Sequence, residues 1–117
     1  MMNGKDKATV TAPTAEDIRA LVQPNRVHRR AYADPAVFEL EMERIFSRLW
    51  IYVAHESQLK KSGDFVRTRL AHHEVLVTRS DDGRINVLRN RCPHRGARLC
   101  MSERGTSRLF SCPYHAW

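Results

Sequence analysis

The sequence has only three cysteines among its 117 residues and no apolar run near the roughly twenty residues that a membrane helix requires. An odd number of cysteines, with no secretory signal, argues against a disulfide framework and favours a reducing, cytoplasmic location. No internal repeat is visible, which argues against a solenoid or propeller. These absences predict a soluble protein of one modest domain, with no membrane partner.

The residues that carry chemistry lie in the last part of the chain, 92–117. Cys92-Pro93-His94-Arg95-Gly96 and Cys112-Pro113-Tyr114-His115-Ala116-Trp117 each offer one thiolate and one imidazole, and seventeen residues separate His94 from Cys112. In a Rieske iron–sulfur centre two cysteines hold one iron and two histidines hold the other. Proline after each cysteine keeps the cysteine backbone out of the α region, so each ligand loop stays open. The pattern predicts one [2Fe-2S] cluster, with these ligands: Cys92, His94, Cys112 and His115.

A structural zinc site is the alternative reading of the same four side chains. Zinc sites also use two cysteines and two histidines, but commonly as a Cys-x(2–4)-Cys pair and a His-x(3–5)-His pair. Here each half of the site mixes the two ligand types, which suits a two-iron cluster better.

The two loops resemble the Rieske segment of the α subunit of aromatic-ring-hydroxylating dioxygenases. The resemblance continues upstream in residues 27–46, 50–57 and 62–65, and it covers roughly residue 20 to the end. One departure is Ala116, where that family usually has glycine, so the backbone there lacks easy access to positive φ. Respiratory Rieske proteins have an extra cysteine in each loop, but Ala97 and Tyr114 stand there, which favours the lower part of the Rieske potential range, about −150 to +300 mV.

The resemblance implies an electron relay. Cys92 and Cys112 are assigned to the inner iron, and the neutral imidazoles of His94 and His115 to the outer iron, which receives the electron. Loss of protons from those imidazoles on oxidation would make the potential depend on pH. The residues expected to support the ligands are Arg95, Gly96, Tyr114 and Trp117.

The oxygenase chemistry of such α subunits takes place at a mononuclear iron held by two histidines and a carboxylate. The usual Asp-x(2)-His pattern is missing from this sequence. We therefore expect a truncated N-terminal fragment of an oxidoreductase that relays electrons and cannot hydroxylate alone. The implied partners are a ferredoxin or an NAD(P)H-dependent reductase, and further α (and β) subunits in a trimeric assembly. The alternatives are a stand-alone Rieske ferredoxin and a zinc-binding interaction module, and the substrate is not indicated.

The charge is uneven along the chain, whose net charge is +7. The stretch 84–108 contains one acid, Glu103, and seven arginines, namely Arg84, Arg89, Arg91, Arg95, Arg98, Arg104 and Arg108. This surface either steers an acidic electron donor toward the cluster or is an ordinary solvated face, and the sequence leaves both open. No recognition fold for nucleic acid accompanies the charge, so no such partner is expected.

The predicted fold is mainly β with an N-terminal helix, a Rieske-type antiparallel sandwich or small barrel that is incomplete at its C-terminus. The predicted divisions are a flexible segment, 1–26, a lead-in with a packing helix, 27–49, and the Rieske domain, 50–117. Residues 1–13 are expected to be disordered. Thr14 is expected to cap a short helix that ends near Leu21, and 27–33 to be extended.

A second helix is predicted from Asp34, with Pro35 in its first turn. Its buried stripe would consist of Phe38, Met42, Ile45 and Leu49. Strands are predicted at 50–54, 65–70, 74–78 and 84–88, with a further short one at 109–110 after a turn at Gly105. The remaining histidines, for which surface or locally bonded positions are expected, are His28, His55, His72 and His73.

Overall fold

The structure is a computed structural model that describes residues 12–117. The expected disorder of the N-terminus therefore lies, for residues 1–11, outside the described residues. The chain divides into two compact units, Met1–Leu49 and Trp50–Trp117. Within residues 12–117, no helix has the length and the hydrophobicity needed to cross a bilayer.

The first unit begins with helix α1, Ala15–Ala20, as predicted. Thr14 caps it: the Thr14 hydroxyl accepts the backbone N–H of Asp17 at 3.2 Å, and the Asp17 carboxylate accepts the backbone N–H of Thr14 at 2.7 Å. This reciprocal capping box satisfies amides that the helix itself leaves without acceptors. Strands β1, Val22–Gln23, and β2, Arg26–Val27, follow as a small antiparallel hairpin.

The prediction of an extended segment before the second helix is wrong for its last part. Residues Arg30–Ala33 form a short helix, α2. The imidazole Nδ1 of His28 accepts the backbone N–H of Arg30 at 3.2 Å, which satisfies an amide at the start of that turn. His28 is thus a local acceptor, in line with the expectation for it.

Helix α3, Pro35–Glu41, starts as predicted, with the Asp34 carboxylate accepting the backbone N–H of Ala36 at 3.0 Å. The Arg30 guanidinium donates to the same carboxylate at 2.7 Å. That contact is the largest cause, and the Ala36 amide the second, of a pKa for Asp34 below its usual 3.8.

The predicted buried stripe of this helix is wrong. A π turn, Met42–Phe46, follows α3 directly, and the buried side chains are Val37 and Met42, five residues apart. The π turn changes the direction of the side chains that follow Met42, so Ile45 and Leu49 do not continue the face that 3.6-residue periodicity predicts. The other three predicted stripe residues are exposed: Phe38, Ile45 and Leu49.

The second unit is built on one four-stranded antiparallel sheet in the order β5-β4-β3-β6. Its strands are β3, Asp64–Leu70; β4, His73–Arg79; β5, Ile85–Arg89; and β6, Arg104–Thr106. The first three match predicted strands to within one residue at each end. With the N-terminal helices, this sheet confirms the predicted fold class, mainly antiparallel β with helices at the N-terminus.

Two of the predicted strands are wrong. Residues 50–54 and 109–110 are irregular, and the last strand of the sheet is β6, which contains Gly105 at the place where a turn was expected. A Cβ on Gly105 would lie 3.0 Å from the ring of Phe65, so a larger residue there would require that ring to shift by a few tenths of an ångström. Phe65 in turn packs edge-to-face on Phe110, with ring centroids 5.2 Å apart.

The core of this unit lies around β4, which pairs with β3 on one side and with β5 on the other. Val75, Leu76, Val77 and Thr78 are all buried, so both faces of the strand are covered. Leu59 and Phe65 complete the apolar part of the core, and the two loop cysteines, Cys92 and Cys112, are buried as well. The inner side of both cysteine loops is therefore buried in this unit.

Candidate metal centre

The two cysteine loops have the same backbone hydrogen bonds. The N–H of Cys92 donates to the carbonyl of Ala97 at 2.7 Å, and the carbonyl of Cys92 accepts from Gly96 at 2.9 Å. Cys112 makes the same two bonds with the residues five and four positions after it, at 2.7 and 2.9 Å. Each cysteine is thus the first residue of a tight loop, and the two loops have the same hydrogen-bonding pattern.

Both loops need one residue with positive φ at the same place. Gly96 has φ of +76° in the first loop, and Ala116 has φ of +57° in the second. An alanine in this region costs about 1–2 kcal/mol because its Cβ crowds the following carbonyl oxygen. The alanine noted in the sequence as a departure from the family therefore adopts the conformation that glycine would adopt there.

The two thiols lie inside the protein, with exposed fractions of 2% for Cys92 and 5% for Cys112. The backbone N–H of Tyr114 is the largest cause of a lowered pKa for the Cys112 thiol. Burial opposes it, while a hydrogen bond with the Cys92 thiol and the N–H of His115 lower the pKa further. The thiolate is the form of cysteine that binds iron, so these amides favour the ligating state.

The two imidazoles lie on the exposed side of the loops. The rings of His94 and His115 face each other edge-to-face, with centroids 5.2 Å apart. The indole of Trp117 stacks on His94 at 4.8 Å with an angle of 11° between the rings. The four side chains thus form a buried thiol pair and an exposed imidazole pair, which fits the donor set of a two-iron cluster.

The zinc alternative needs a different arrangement. A structural zinc ion requires four ligands around one point. Within residues 12–117, no three or more His, Cys, Asp or Glu side chains are grouped so as to hold one metal ion.

Four residues of the loops were expected to support the ligands, and the structure gives three of them the contacts described above, namely Gly96, Tyr114 and Trp117. The fourth, Arg95, is exposed, and no hydrogen bond or ion pair of it occurs within residues 12–117. Among the other histidines, His55 caps a 3₁₀ turn, Glu56–Gln58, by accepting the N–H of Ser57 at 3.2 Å. His55 and the turn that it caps lie outside the ligand loops.

Asn90 is a residue of the site that the sequence analysis missed. It is buried, 4% exposed, two residues before Cys92. Its amide donates to the carbonyl of Cys100 at 2.7 Å and accepts the backbone N–H groups of Leu99 and Cys100 at 3.2 and 2.8 Å. The connection between the two loops is therefore fixed to the end of β5. The only signal in the sequence was a polar amide directly between a strand and a ligand.

The family model of the Rieske [2Fe-2S] domain matches residues 49–117. The chain belongs to the Rieske [2Fe-2S] domain family. That membership supports an iron–sulfur cluster and an electron-transfer role for this Rieske domain, in line with the paired ligands.

The curated proteins similar to this Rieske domain are α subunits of larger enzymes. The chain is similar to the α subunit of biphenyl dioxygenase from Paraburkholderia xenovorans (strain LB400), 42% identical over 110 residues, which are 92% of this chain and 24% of that subunit. It is 50% identical over 86 residues to the α subunit of N,N-dimethyl phenylurea N-demethylase from Sphingobium sp. (strain YBL2), or 74% of this chain and 19% of that subunit. The chain thus spans about a fifth to a quarter of the length of these relatives.

Solved structures of similar fold come from the same kinds of enzyme. Naphthalene 1,2-dioxygenase from Rhodococcus sp. matches with a TM-score of 0.74 at 35% identity, over 87% of this chain and 22% of that one. A quaternary ammonium Rieske monooxygenase, CntA, matches with a TM-score of 0.68 at 37% identity, over 76% of this chain and 25% of that one. The chain is thus similar, in sequence and in fold, to the Rieske segment of such α subunits, as the sequence resemblance indicated.

Proposed function

We propose that this chain is the electron-entry portion of a Rieske oxygenase α subunit. Cys92 and Cys112 hold the inner iron, and His94 and His115 hold the outer iron. The cluster, when bound, supplies one-electron transfer. The observation that carries this assignment is the split of the donors, with the two thiols buried and the two imidazoles facing each other at the surface.

The residues of the loops prepare these donors. The amides of Tyr114 and His115 favour the Cys112 thiolate, and Trp117 holds the ring of His94 by stacking. Exposed imidazoles give the shortest route from the surface to the outer iron, so His94 and His115 are the electron port. The donor is a ferredoxin or an NAD(P)H-dependent reductase, and the acceptor is a mononuclear iron held by two histidines and a carboxylate elsewhere in the α assembly.

The ligand assignment is tested by exchanging the imidazoles for thiolates. Neutral imidazoles raise the potential of a Rieske centre to about −150 to +300 mV, against about −400 mV for a centre with four cysteines. The double variant His94→Cys, His115→Cys should therefore lower the potential by more than about 200 mV. His28→Cys serves as the control and should leave the potential unchanged. An unshifted potential in the double variant would refute the assignment.

The reaction of the whole enzyme has two candidates. Dioxygenation of an aromatic ring is favoured by the biphenyl and naphthalene dioxygenase relatives. N-demethylation is favoured by the relative with 50% identity, a phenylurea N-demethylase subunit. We propose ring dioxygenation first, because the matches that span most of this chain are to dioxygenases.

The two reactions are told apart with the complete enzyme, its reductase and two probes, biphenyl and an N,N-dimethyl phenylurea. Ring dioxygenation with O2 and NAD(P)H turns biphenyl into a dihydrodiol, which is heavier by two oxygen and two hydrogen atoms. N-demethylation releases one formaldehyde for each methyl group removed. A dihydrodiol of biphenyl without formaldehyde from the urea supports the first candidate, and formaldehyde alone supports the second.

A further inference from the structure

The seven arginines of the stretch 84–108 fall into two kinds in the structure. Arg84 pairs with Asp82 at 2.6 Å, Arg98 with Glu74 at 2.8 Å, and Arg108 with Asp81 at 3.5 Å. Arg104, on β6, lines a recess that also contains the acids Glu74 and Glu103.

The other three, called here the loop arginines, are Arg89, Arg91 and Arg95. Within residues 12–117 none of them has an ion pair with a carboxylate, and all three are exposed. In the sequence, Arg91 and Arg95 stand on either side of His94, the exposed ligand of the first loop. Of the four arginines in this stretch that have no ion pair within the described residues, two therefore flank the electron port in the sequence, whereas Arg104 lies apart on β6.

Two of the loop arginines line a recess of about 320 Å³ beside the first loop. The guanidinium of Arg91 lies against Gly96, so close that a Cβ there would be 2.9 Å from two of its nitrogens. The guanidinium of Arg89 lies 2.8 Å from Nδ1 of His73, which holds it at the rim. Contacts with Gly96 and His73 therefore hold the guanidinium groups of Arg91 and Arg89 at this recess, although both side chains are exposed.

The one acid that lines this recess is already neutralised. One carboxylate oxygen of Glu74 lies 2.8 Å from Arg98, and the other lies 3.4 Å from Arg67. The recess is thus left with the positive charges of Arg89 and Arg91 and with no free carboxylate of its own. Such a site attracts carboxylates from solution, and attraction of this kind mainly raises the rate of encounter.

We propose that the loop arginines form the docking surface for an acidic electron-donor protein, whose carboxylates occupy the recess and bring its redox centre beside His94. This inference rests on the proposed function and decides between the two readings that the sequence left open for the basic stretch. Arg84, on the β4–β5 turn, and Arg108, which follows β6 and pairs with Asp81 of that turn, belong to the solvated face and take no part.

The test measures how fast a reduced plant-type [2Fe-2S] ferredoxin with an acidic surface bleaches the visible absorption of the oxidised chain. At about −400 mV such a ferredoxin is able to reduce a Rieske centre. The variant Arg91→Gln, Arg95→Gln is compared with the control variant Arg84→Gln, Arg108→Gln, which removes the same charge. We expect the rate at low ionic strength to fall about tenfold or more in the first and less than about twofold in the second.

The dependence of the reduction rate on salt is the second measurement. The difference between the two variants should disappear in about 0.5 M salt, because screening shortens the reach of the charges to a few ångströms. Since Arg91 packs on the first loop, the single variant Arg95→Gln, whose side chain has no partner within residues 12–117, is measured as well. It should lose about threefold or more in rate with an unchanged spectrum.

The outcomes separate the two proposals. Absence of a [2Fe-2S] spectrum in the unaltered chain would overturn the proposed function. If all variants hold the cluster and are reduced by dithionite, but the two double variants lose the same ferredoxin rate or none, the docking surface is wrong and the proposed function stands.

Discussion

At the scale of residues, two alanines have the left-handed backbone that normally favours glycine. Ala71 has φ of +52° in the β3–β4 turn, and Ala116 has φ of +57° in the second ligand loop. Gly96 occupies the equivalent place in the first loop without strain. The two loops therefore have one shape but different conformational energies, and the second holds its shape against a cost of about 1–2 kcal/mol.

The change Ala116→Gly should stabilise the protein. Relief of the left-handed alanine, less the greater chain entropy of glycine in the unfolded state, leaves a gain of about 0.5–1 kcal/mol in the free energy of unfolding. Denaturant titration measures it, with Ala71→Gly as the matched variant outside the ligand loops. A loss of stability in Ala116→Gly beside a gain in Ala71→Gly would show that the Ala116 methyl group contributes packing that outweighs the strain.

Asn90 is the second residue whose role is local and testable. Replacing it by alanine would leave the backbone N–H and carbonyl of Cys100 and the N–H of Leu99 without their partner, at about 1–3 kcal/mol for each group that stays buried. We expect Asn90→Ala to cost about 3 kcal/mol in the free energy of unfolding. Asn86→Ala, which removes one bond to Ser80 from a half-buried site, is the control and should cost less than about 1 kcal/mol. Equal losses would contradict the role of Asn90.

At the scale of elements, the short strand β6 is attached to β3 by more than its backbone. The Thr106 hydroxyl donates to Oδ1 of Asp64 at 2.7 Å, and the backbone N–H of Lys61 donates to Oδ2 at 2.9 Å. The hydroxyl is the largest cause, and the amide the second, of a pKa for Asp64 below 3.8. The ionised carboxylate therefore links the start of β3 to the end of β6.

This link predicts how stability depends on acid. The carboxyl of Asp64 has a lower pKa when folded than when unfolded, so its contribution is present above about pH 4 and is lost as the pH falls through the folded value. Thr106→Val should lower Tm at pH 6, and the gap from the unaltered chain should narrow as the pH falls below 3.8, the usual value for this carboxyl. Thr68→Val, on β3, is the control, and its gap should not depend on pH. A Thr106→Val gap that persists at low pH would contradict the link.

The same scale shows what the sequence could and could not predict of the fold. Strands β3, β4 and β5 were predictable because their apolar residues are bounded by turns at Gly63 and Gly83. Strand β6 was not, because Arg-Gly-Thr has no apolar signal and its pairing depends on the fit of Gly105 against Phe65. The apolar stretch 50–54 has the composition of a strand but no partner strand in the described chain.

At the scale of the whole molecule, the ligand set was readable from two short motifs, whereas its support was not. The Cys-Pro and His residues at fixed spacing predict the metal centre, because few other metal sites need one thiolate and one imidazole on each of two loops. Asn90 forms hydrogen bonds with Leu99 and Cys100, which lie nine and ten residues after it in the sequence. The difference between paired and loop arginines depends on where the acids Asp81, Asp82 and Glu74 lie in the fold. Such facts follow only from the folded chain.

The central claim is that two cysteines and two histidines of this one chain hold a two-iron cluster. Pulsed EPR of the reduced 117-residue chain, loaded with iron and sulfide, tests it most directly. The account predicts the signal of a single mixed-valence [2Fe-2S] pair coupled to two histidine nitrogens, with one coupling lost in His94→Cys and the other in His115→Cys. A signal without nitrogen coupling, or a colourless chain that binds one zinc ion through the same four side chains, would contradict it.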